Sequence, residues 1–142
     1  MATTATLTLT SADIAGDPVN VSTTSTFTKA SGTVDMDQIS YMKVNLGSAT
    51  DKVLIPASHE YNTVNSNKLY IKNLSTVSTE YVTIKIEGST GIPFGKLYAG
   101  QWAFFPYNQN DAAGLIVVLP SKAGIDIEYV WIHENVDILA DD

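Results

Sequence analysis

Residues 68–106 alternate between apolar and polar side chains, and this alternation constrains the fold more than any other feature of the sequence. Leu69 and Ile71 alternate with lysine and tyrosine, and in residues 81–87 every second residue is valine or isoleucine. Such a pattern places one face of a strand on an apolar core and the other face in water. The stretch predicts four strands joined as a β-meander, ended by Pro106 because proline lacks the N–H that a strand ladder needs.

The rest of the chain adds further short strands between turn signals. Residues 4–10 alternate threonine with alanine or leucine. This predicts an edge strand or an arm that pairs with a neighbouring subunit, with a frayed terminus as the alternative. Residues 19–28 predict one bent strand or two short ones, and the wholly apolar residues 115–119 predict a strand covered on both faces. Strands are also predicted at residues 39–46, 52–55 and 125–134.

Strands of this length, about eight to ten in all with no helical pattern, are typical of sandwiches and barrels. Gly100, after Ala99, lies where a tight reversal needs a residue that tolerates positive φ. The predicted fold is all-β, a single β-sandwich over residues 1–142, with the jelly roll as one form of it. Residues 1–12 are expected to form an extended strand or arm, and residues 135–142 a loose tail.

The balance of charge disfavours nucleic acid as a partner. The net charge is −7, the isoelectric point is near 4.6, and all eight positive charges are lysines. Arginine supplies the planar fork that recognises phosphates and guanine edges, so an acidic chain without it is expected to repel polyphosphates. Charged residues make up 16% of the chain, and threonine and serine supply much of the polar surface instead. A weakly charged surface lowers the electrostatic barrier to packing against further copies.

The chain contains no cysteine, so its predicted fold needs no disulfide, which fits assembly in a reducing compartment. Its first residues have neither the basic segment nor the apolar segment of a signal peptide. No stretch approaches the roughly 20 apolar residues of a membrane helix. The expected site of assembly is a reducing compartment, with no membrane partner.

Polar residues do not form a recognisable catalytic or metal-binding pattern. His59 and His133 have no clustered partners, so surface or packed positions are expected for both. Asp35 and Asp37 have the spacing of calcium ligands but lack the glycine and the distal glutamate of an EF-hand loop. Carboxylate pairs of the glycosidase type are defined by spatial distance, so a hydrolase remains the weakest alternative. We predict no enzyme, no cofactor and no metal.

Aromatic residues are the strongest candidates for an interface. Trp102, Phe104, Phe105 and Tyr107 follow one another closely, and Phe104 and Phe105 must point to opposite faces of a strand. One of them therefore faces away from the core unless the strand is covered on both sides, and exposed aromatic rings mark interfaces or stack on sugars. A position of all these rings in the core is the equally weighted alternative. The candidate interface residues are Trp102, Phe104, Phe105, Tyr107, Leu7 and Leu9.

A family resemblance is carried by three segments and by the opening residues Thr6-Leu-Thr-Leu-Thr-Ser-Ala-Asp-Ile-Ala-Gly16. The three segments are Tyr70-Ile-Lys-Asn73, Tyr81-Val-Thr-Ile-Lys-Ile-Glu87 and Gly95-Lys-Leu-Tyr-Ala-Gly-Gln-Trp-Ala-Phe-Phe-Pro106. Together with the final strand, Ile127-Glu-Tyr-Val-Trp-Ile132, they resemble small virion proteins of tailed bacteriophages, which are typically capsid decoration (cement) proteins. The resemblance implies a β-sandwich, often trimeric, that binds the major capsid protein on the outside of the head and stabilises the shell. It implies no catalytic residues.

The sequence therefore supports a structural virion protein as the first hypothesis, assembled in the host cytoplasm and located on the capsid surface. The second is a carbohydrate-binding or host-adhesion module that uses Trp102, Tyr107 and Trp131. A phage tail accessory protein is a further alternative. Capsid binding predicts attachment to a shell lattice and no affinity for free sugars, and glycan binding predicts the reverse.

Overall fold

The computed structural model describes residues 2–14, 17–28, 34–55, 67–86, 91–107 and 115–136, and their regular structure is β-strand. Ten strands follow one another in this part of the chain. The first five are β1 (Ala2–Ile14), β2 (Asp17–Thr28), β3 (Val34–Leu46), β4 (Lys52–Ile55) and β5 (Asn67–Asn73). The others are β6 (Tyr81–Ile86), β7 (Ile92–Tyr98), β8 (Trp102–Tyr107), β9 (Ile116–Pro120) and β10 (Ile125–Val136). No described segment is a helix of the length and apolarity needed to span a membrane.

Strands β3 to β10 form two antiparallel sheets of four strands each. The first sheet has the order β3-β10-β5-β8 and the second has the order β4-β9-β6-β7. The pairs β3–β10, β4–β9, β5–β8 and β6–β7 are nested, as they are when one long hairpin is rolled up. This is the strand order of a jelly roll, and the predicted all-β sandwich is confirmed.

The predicted β-meander between residues 68 and 106 is wrong. Strands β5 and β6 lie in different sheets, and so do β7 and β8, while β6 and β7 do form a hairpin. Because each strand has one apolar face, crossing to the opposite sheet lets two such faces cover each other. Pro106 does not end its strand either: it lies within β8, which is an edge strand and therefore tolerates a missing N–H.

The core lies between the two sheets and contains the apolar faces that the alternation predicted. Leu69 and Ile71 of β5 are buried against Val82 and Ile84 of β6 in one cluster. Strand β9 lies between β4 and β6, and its adjacent residues Val117 and Val118, which point to opposite faces, are both buried. Other members of the cluster are Leu46, Ile55, Leu97, Phe105, Ile116, Ile125, Ile127, Tyr129 and Trp131.

Asn73, fully buried at the end of β5, joins three chain segments at one end of the sandwich. Its side-chain amide donates to the carbonyl oxygens of Leu97, at 3.0 Å, and Glu80, at 3.4 Å. Its side-chain oxygen accepts a hydrogen bond from the Ser75 backbone N–H at 2.9 Å. Its backbone N–H donates to the Gln101 carbonyl, and its carbonyl accepts from the Gly100 N–H, both at 3.0 Å. One residue thus fixes the β5–β6 connection, strand β7 and the β7–β8 turn together.

A carboxylate reinforces the same end of the sandwich. The Glu80 carboxylate accepts a hydrogen bond from the Ser75 hydroxyl at 2.5 Å and forms an ion pair with Lys122 in the β9–β10 turn. Hydrogen bonding by the Lys122 ammonium, and then by the Ser75 hydroxyl, lowers the pKa of Glu80 below its usual value. This ionised side chain contributes stability above the ordinary glutamate pKa, and the contribution is lost as the pH falls through the lowered pKa.

Strands β1 and β2 form a separate two-stranded antiparallel hairpin. The pairing answers two open questions from the sequence: residues 2–14 form a strand, and residues 17–28 form one strand rather than two. At the other terminus, β10 continues to Val136, so the predicted loose tail is wrong for residues 135 and 136. The remaining residues of that tail lie outside the described part.

We expect Asn73→Ala to lower the free energy of unfolding by about 3 kcal/mol, because a buried carbonyl left without its donor costs about 1–3 kcal/mol. The matched control is Asn45→Ala. Asn45 is exposed and also donates twice, to Asp126 and to the Gly124 carbonyl, but water can replace its bonds. We expect a loss below about 1 kcal/mol for the control. Urea unfolding of both variants is the measurement, and equal losses would contradict the role given to Asn73.

A second pair of variants tests the β7–β8 turn. Gly100 has φ of 75°, and a Cβ added there meets no atom within 4 Å, so Gly100→Ala introduces backbone strain alone. We expect it to lower the unfolding free energy by about 1–2 kcal/mol. Gly95→Ala, within β7, also meets nothing within 4 Å and has no positive φ, so we expect no loss. Thermal unfolding of the two variants distinguishes them, and a loss at Gly95 as large as at Gly100 would refute the explanation by strain.

Candidate interface on the outer face of the first sheet

The outer sheet face, meaning the side of sheet β3-β10-β5-β8 that points away from the core, presents several aromatic side chains. Tyr70 of β5 lies opposite Phe104 of β8, and Lys72 lies opposite Trp102. These residues alternate with Leu69 and with other core residues, so they point outward. The Tyr70 and Trp102 rings lie with centroids 6.2 Å apart, and 49% of Trp102 is exposed.

The two adjacent phenylalanines lie on opposite sides of β8. Phe104 is half-buried on the outer sheet face. Phe105 has 7% of its surface exposed and stacks on Phe94 of β7, with ring centroids 4.9 Å apart. Phe105 is therefore part of the core and does not form an exposed interface, because its position alternates inward opposite the buried Leu69.

The β1–β2 hairpin lies over part of this face and closes a groove of about 530 Å³. We call it the aromatic groove. The sheet contributes Tyr70, Lys72, Trp102 and Phe104, and the hairpin contributes Ala5, Thr6, Leu7, Thr23 and Ser25. Leu7 is half-buried at this position. The groove thus combines aromatic rings with a rim of hydroxyl groups and one lysine.

A carboxylate organises the neighbouring part of the outer sheet face. Glu128 of β10 accepts hydrogen bonds from the Tyr41 hydroxyl, at 3.1 Å, and the Tyr70 hydroxyl, at 3.2 Å. The hydrogen bond to Glu128 and its negative charge raise the pKa of Tyr41. Burial is the largest cause of the raised pKa of Tyr70, followed by the charge of Glu128. Tyr41, Glu128 and Tyr70 therefore form a hydrogen-bonded row from β3 across β10 to the aromatic groove.

Leu9, the other leucine predicted to form an interface, lies on β1 opposite Val21 of β2. Both are exposed, Leu9 by 51% and Val21 by 44%. A further exposed apolar patch lies on edge strand β7, where Ile92 and Phe94 flank Pro93 beside a shallow groove.

Other residues named from the sequence are buried or have side chains outside the described part of the chain. Trp131 is buried in the core and cannot serve as an open platform for a sugar. Tyr107 lies on β8 and His133 on β10, but their side chains fall outside the described part, and so does His59. Across the described residues, no three histidine, aspartate or glutamate side chains group as metal ligands.

Sequence reasoning missed Tyr70, Lys72 and Glu128 as residues that share the outer sheet face with Trp102. Each lies on the polar side of an alternating strand, which is the only local signal they give. Their proximity depends on the register between β5 and β8 and between β10 and β5, and residues far apart in the chain determine that register.

No family model and no curated protein sequence matches the chain. Among solved structures it is similar to a subunit of Bacillus endospore appendages, described as disulfide-linked pili, at 16% identity and a TM-score of 0.46 over 74% of this chain and 92% of that one. It is also similar to the Yersinia pseudotuberculosis-derived mitogen, at 10% identity and a TM-score of 0.43 over the same shares. A third similarity is to the C-terminal family 22 carbohydrate-binding module of Clostridium thermocellum Xyn10B, at 12% identity and a TM-score of 0.32 over 82% and 92%.

The Glu128 cluster gives a test of the outer sheet face in solution. We expect Tyr41 and Tyr70 to ionise above the usual tyrosine pKa, and Glu128→Gln to lower both pKa values. The change is larger for Tyr41, because burial keeps the pKa of Tyr70 raised. Tyr129 is the internal control, since its pKa is raised by burial alone. NMR titration of ring-labelled tyrosines measures all three, and an unchanged Tyr41 pKa in the variant would contradict this geometry.

Proposed function

We propose that this chain is a structural virion protein of the capsid decoration (cement) type. It binds the major capsid protein on the outer surface of a phage head and stabilises the shell as a homo-oligomer, with a trimer favoured. The observation that carries the proposal is the aromatic and apolar surface left outside the core, of which the half-exposed Trp102 is the largest side chain. The resemblance of several of its segments to phage decoration proteins supports the same assignment.

The chemistry of the exposed surface fits contact between proteins. The outer sheet face offers broad aromatic and aliphatic side chains, including Ile39, Tyr41 and Trp102, and charged side chains lie among them. Aromatic residues are enriched in the centres of protein interfaces because they bury a large area at little cost in conformational entropy. The tyrosine hydroxyls on Glu128 hold this face in one arrangement before a partner arrives.

Such a protein acts through the contact area of each copy and through the number of copies that bind together. A stable interface buries roughly 800 Å² per partner, and a symmetric oligomer repeats each contact. When one copy is bound, the others face the shell at a high effective concentration, so modest contacts add up to firm attachment. Attachment across neighbouring shell subunits resists outward pressure on the lattice without any catalytic step.

The test is binding of the purified chain to undecorated phage heads, measured by co-sedimentation and by a density map of the particles. We expect Trp102→Ala to weaken binding by about 30-fold, because a central interface aromatic contributes about 2 kcal/mol. Tyr98→Ala, which removes an exposed aromatic ring from the second sheet, is the control and is expected to bind normally. Failure of the unmodified chain to bind heads refutes the proposal, and density on a tail would assign it to the accessory proteins of the tail.

A carbohydrate-binding or adhesion module is the second candidate, and the composition of the aromatic groove favours it. Trp102 and Tyr70 provide rings on which a sugar can stack, while Lys72, Thr23 and Ser25 provide polar groups along the rim. The groove volume, about 530 Å³, lies in the range of small-ligand sites. A glycan array distinguishes the two functions: specific binding that Trp102→Ala abolishes and Trp102→Phe retains supports the module, and no binding removes it.

A further inference from the structure

The β1–β2 hairpin is covered by its own sandwich only in part. The part of the hairpin that lines the aromatic groove is covered by the outer sheet face. A two-stranded hairpin is marginally stable in water by itself, so the rest of it needs a partner.

The uncovered part carries an apolar stripe, which we define as Leu9 and Val21. The two residues are directly opposite each other in the antiparallel register and therefore share one face of the hairpin. About half of each side chain is exposed. In the described part of the chain, neither outer edge of this two-stranded sheet is paired with another strand.

Charge indicates what covers the stripe. The chain carries a net charge of −7, so two copies repel each other over much of their surface. Residues 4–10 and 20–26, which include the stripe, contain no charged side chain at all. An uncharged strand edge without lysine or proline lacks the features that keep strands of different molecules apart. Residues 4–10 and 20–26 of the hairpin thus form a region where copies of this chain can approach each other with little repulsion.

We propose that the hairpin is an arm through which the chain oligomerises, with the Leu9–Val21 stripes of the copies packed together around the symmetry axis. A symmetric contact of this kind needs no other partner, since one patch covers its own counterpart around the symmetry axis. Two opposed side chains bury less area than a standard interface, so contacts made by several copies around the axis add the missing area. The inference deepens the proposed function, on which it rests for its biological setting, by naming the partner as a second copy.

The test compares two double variants of the full-length chain by light scattering over a range of concentrations. Leu9→Lys with Val21→Lys charges the stripe. Thr8→Lys with Ser22→Lys adds the same two charges to the opposite face of the hairpin, at another directly paired position. We expect the first variant to be monomeric, with its dissociation constant raised at least 100-fold, and the second to remain oligomeric. Circular dichroism checks that each variant keeps its β structure.

A cross-linking experiment keeps the proposal testable if the charged variants fold poorly. The chain has no cysteine, so a single introduced thiol can form disulfides only between copies. We expect Leu9→Cys to give cross-linked dimers at least tenfold faster than Thr8→Cys under mild oxidation. Equal rates, an unmodified chain that is monomeric at about 100 µM, or equal dissociation of both charged variants overturns the proposal.

Failure of the arm and failure of the proposed function give different experimental outcomes. If the stripe holds an oligomer together but this oligomer does not bind phage heads, the arm is supported and the decoration role is refuted. A monomer that binds heads, and loses this binding when the stripe is charged, refutes the arm and identifies the shell as the partner that covers Leu9 and Val21.

Discussion

The hydrogen bonds of Asn73 connect parts of the jelly roll that no strand pairing connects. Its backbone lies in the first sheet, while its side chain binds the carbonyl oxygen of Leu97 in the second. Sheet packing by itself is apolar and tolerates sliding, whereas a buried amide with all its partners in place has one geometry. The turn that follows β7, including Gly100, is held by the same residue, so the position of β8 depends on it. The positions of the aromatic side chains on β8 therefore depend on the buried Asn73.

Local pattern was enough to predict which face of β5 is buried. Leu69 and Ile71 lie in the core as their alternation indicated, because a period of two is a property of each strand alone. The choice of partner strand cannot be predicted from the pattern of one strand. β5 pairs with β8 and β10 rather than with its neighbour β6, and nothing within these segments encodes that choice. The incorrect meander came from assuming that consecutive strands pair.

For the candidate interface too, the sequence predicted the alternation within each strand but not the pairing between strands. Adjacent Phe104 and Phe105 had to diverge, but which one joined the core depended on the register with β5. Trp102 was identified by its size and position, whereas its neighbour Tyr70, and Glu128 beside Tyr70, join it only when three strands are assembled. The hairpin that closes the groove was predicted as a strand or arm, and its pairing with residues 17–28 was not apparent because that segment is rich in small hydroxyl side chains.

Prolines on two edge strands affect how far such molecules can associate. Pro93 lies on β7 and Pro106 on β8, each at the end of its sheet, and the pairing of β7 with β6 is irregular next to Pro93. A strand that lacks an N–H and is locally kinked is a poor template for a further strand. Copies of this sandwich therefore resist pairing edge to edge through β7 or β8. A fibril that would grow by adding strands at these edges is disfavoured. A protein present in many copies is thereby protected from aggregation by two residues of its edge strands.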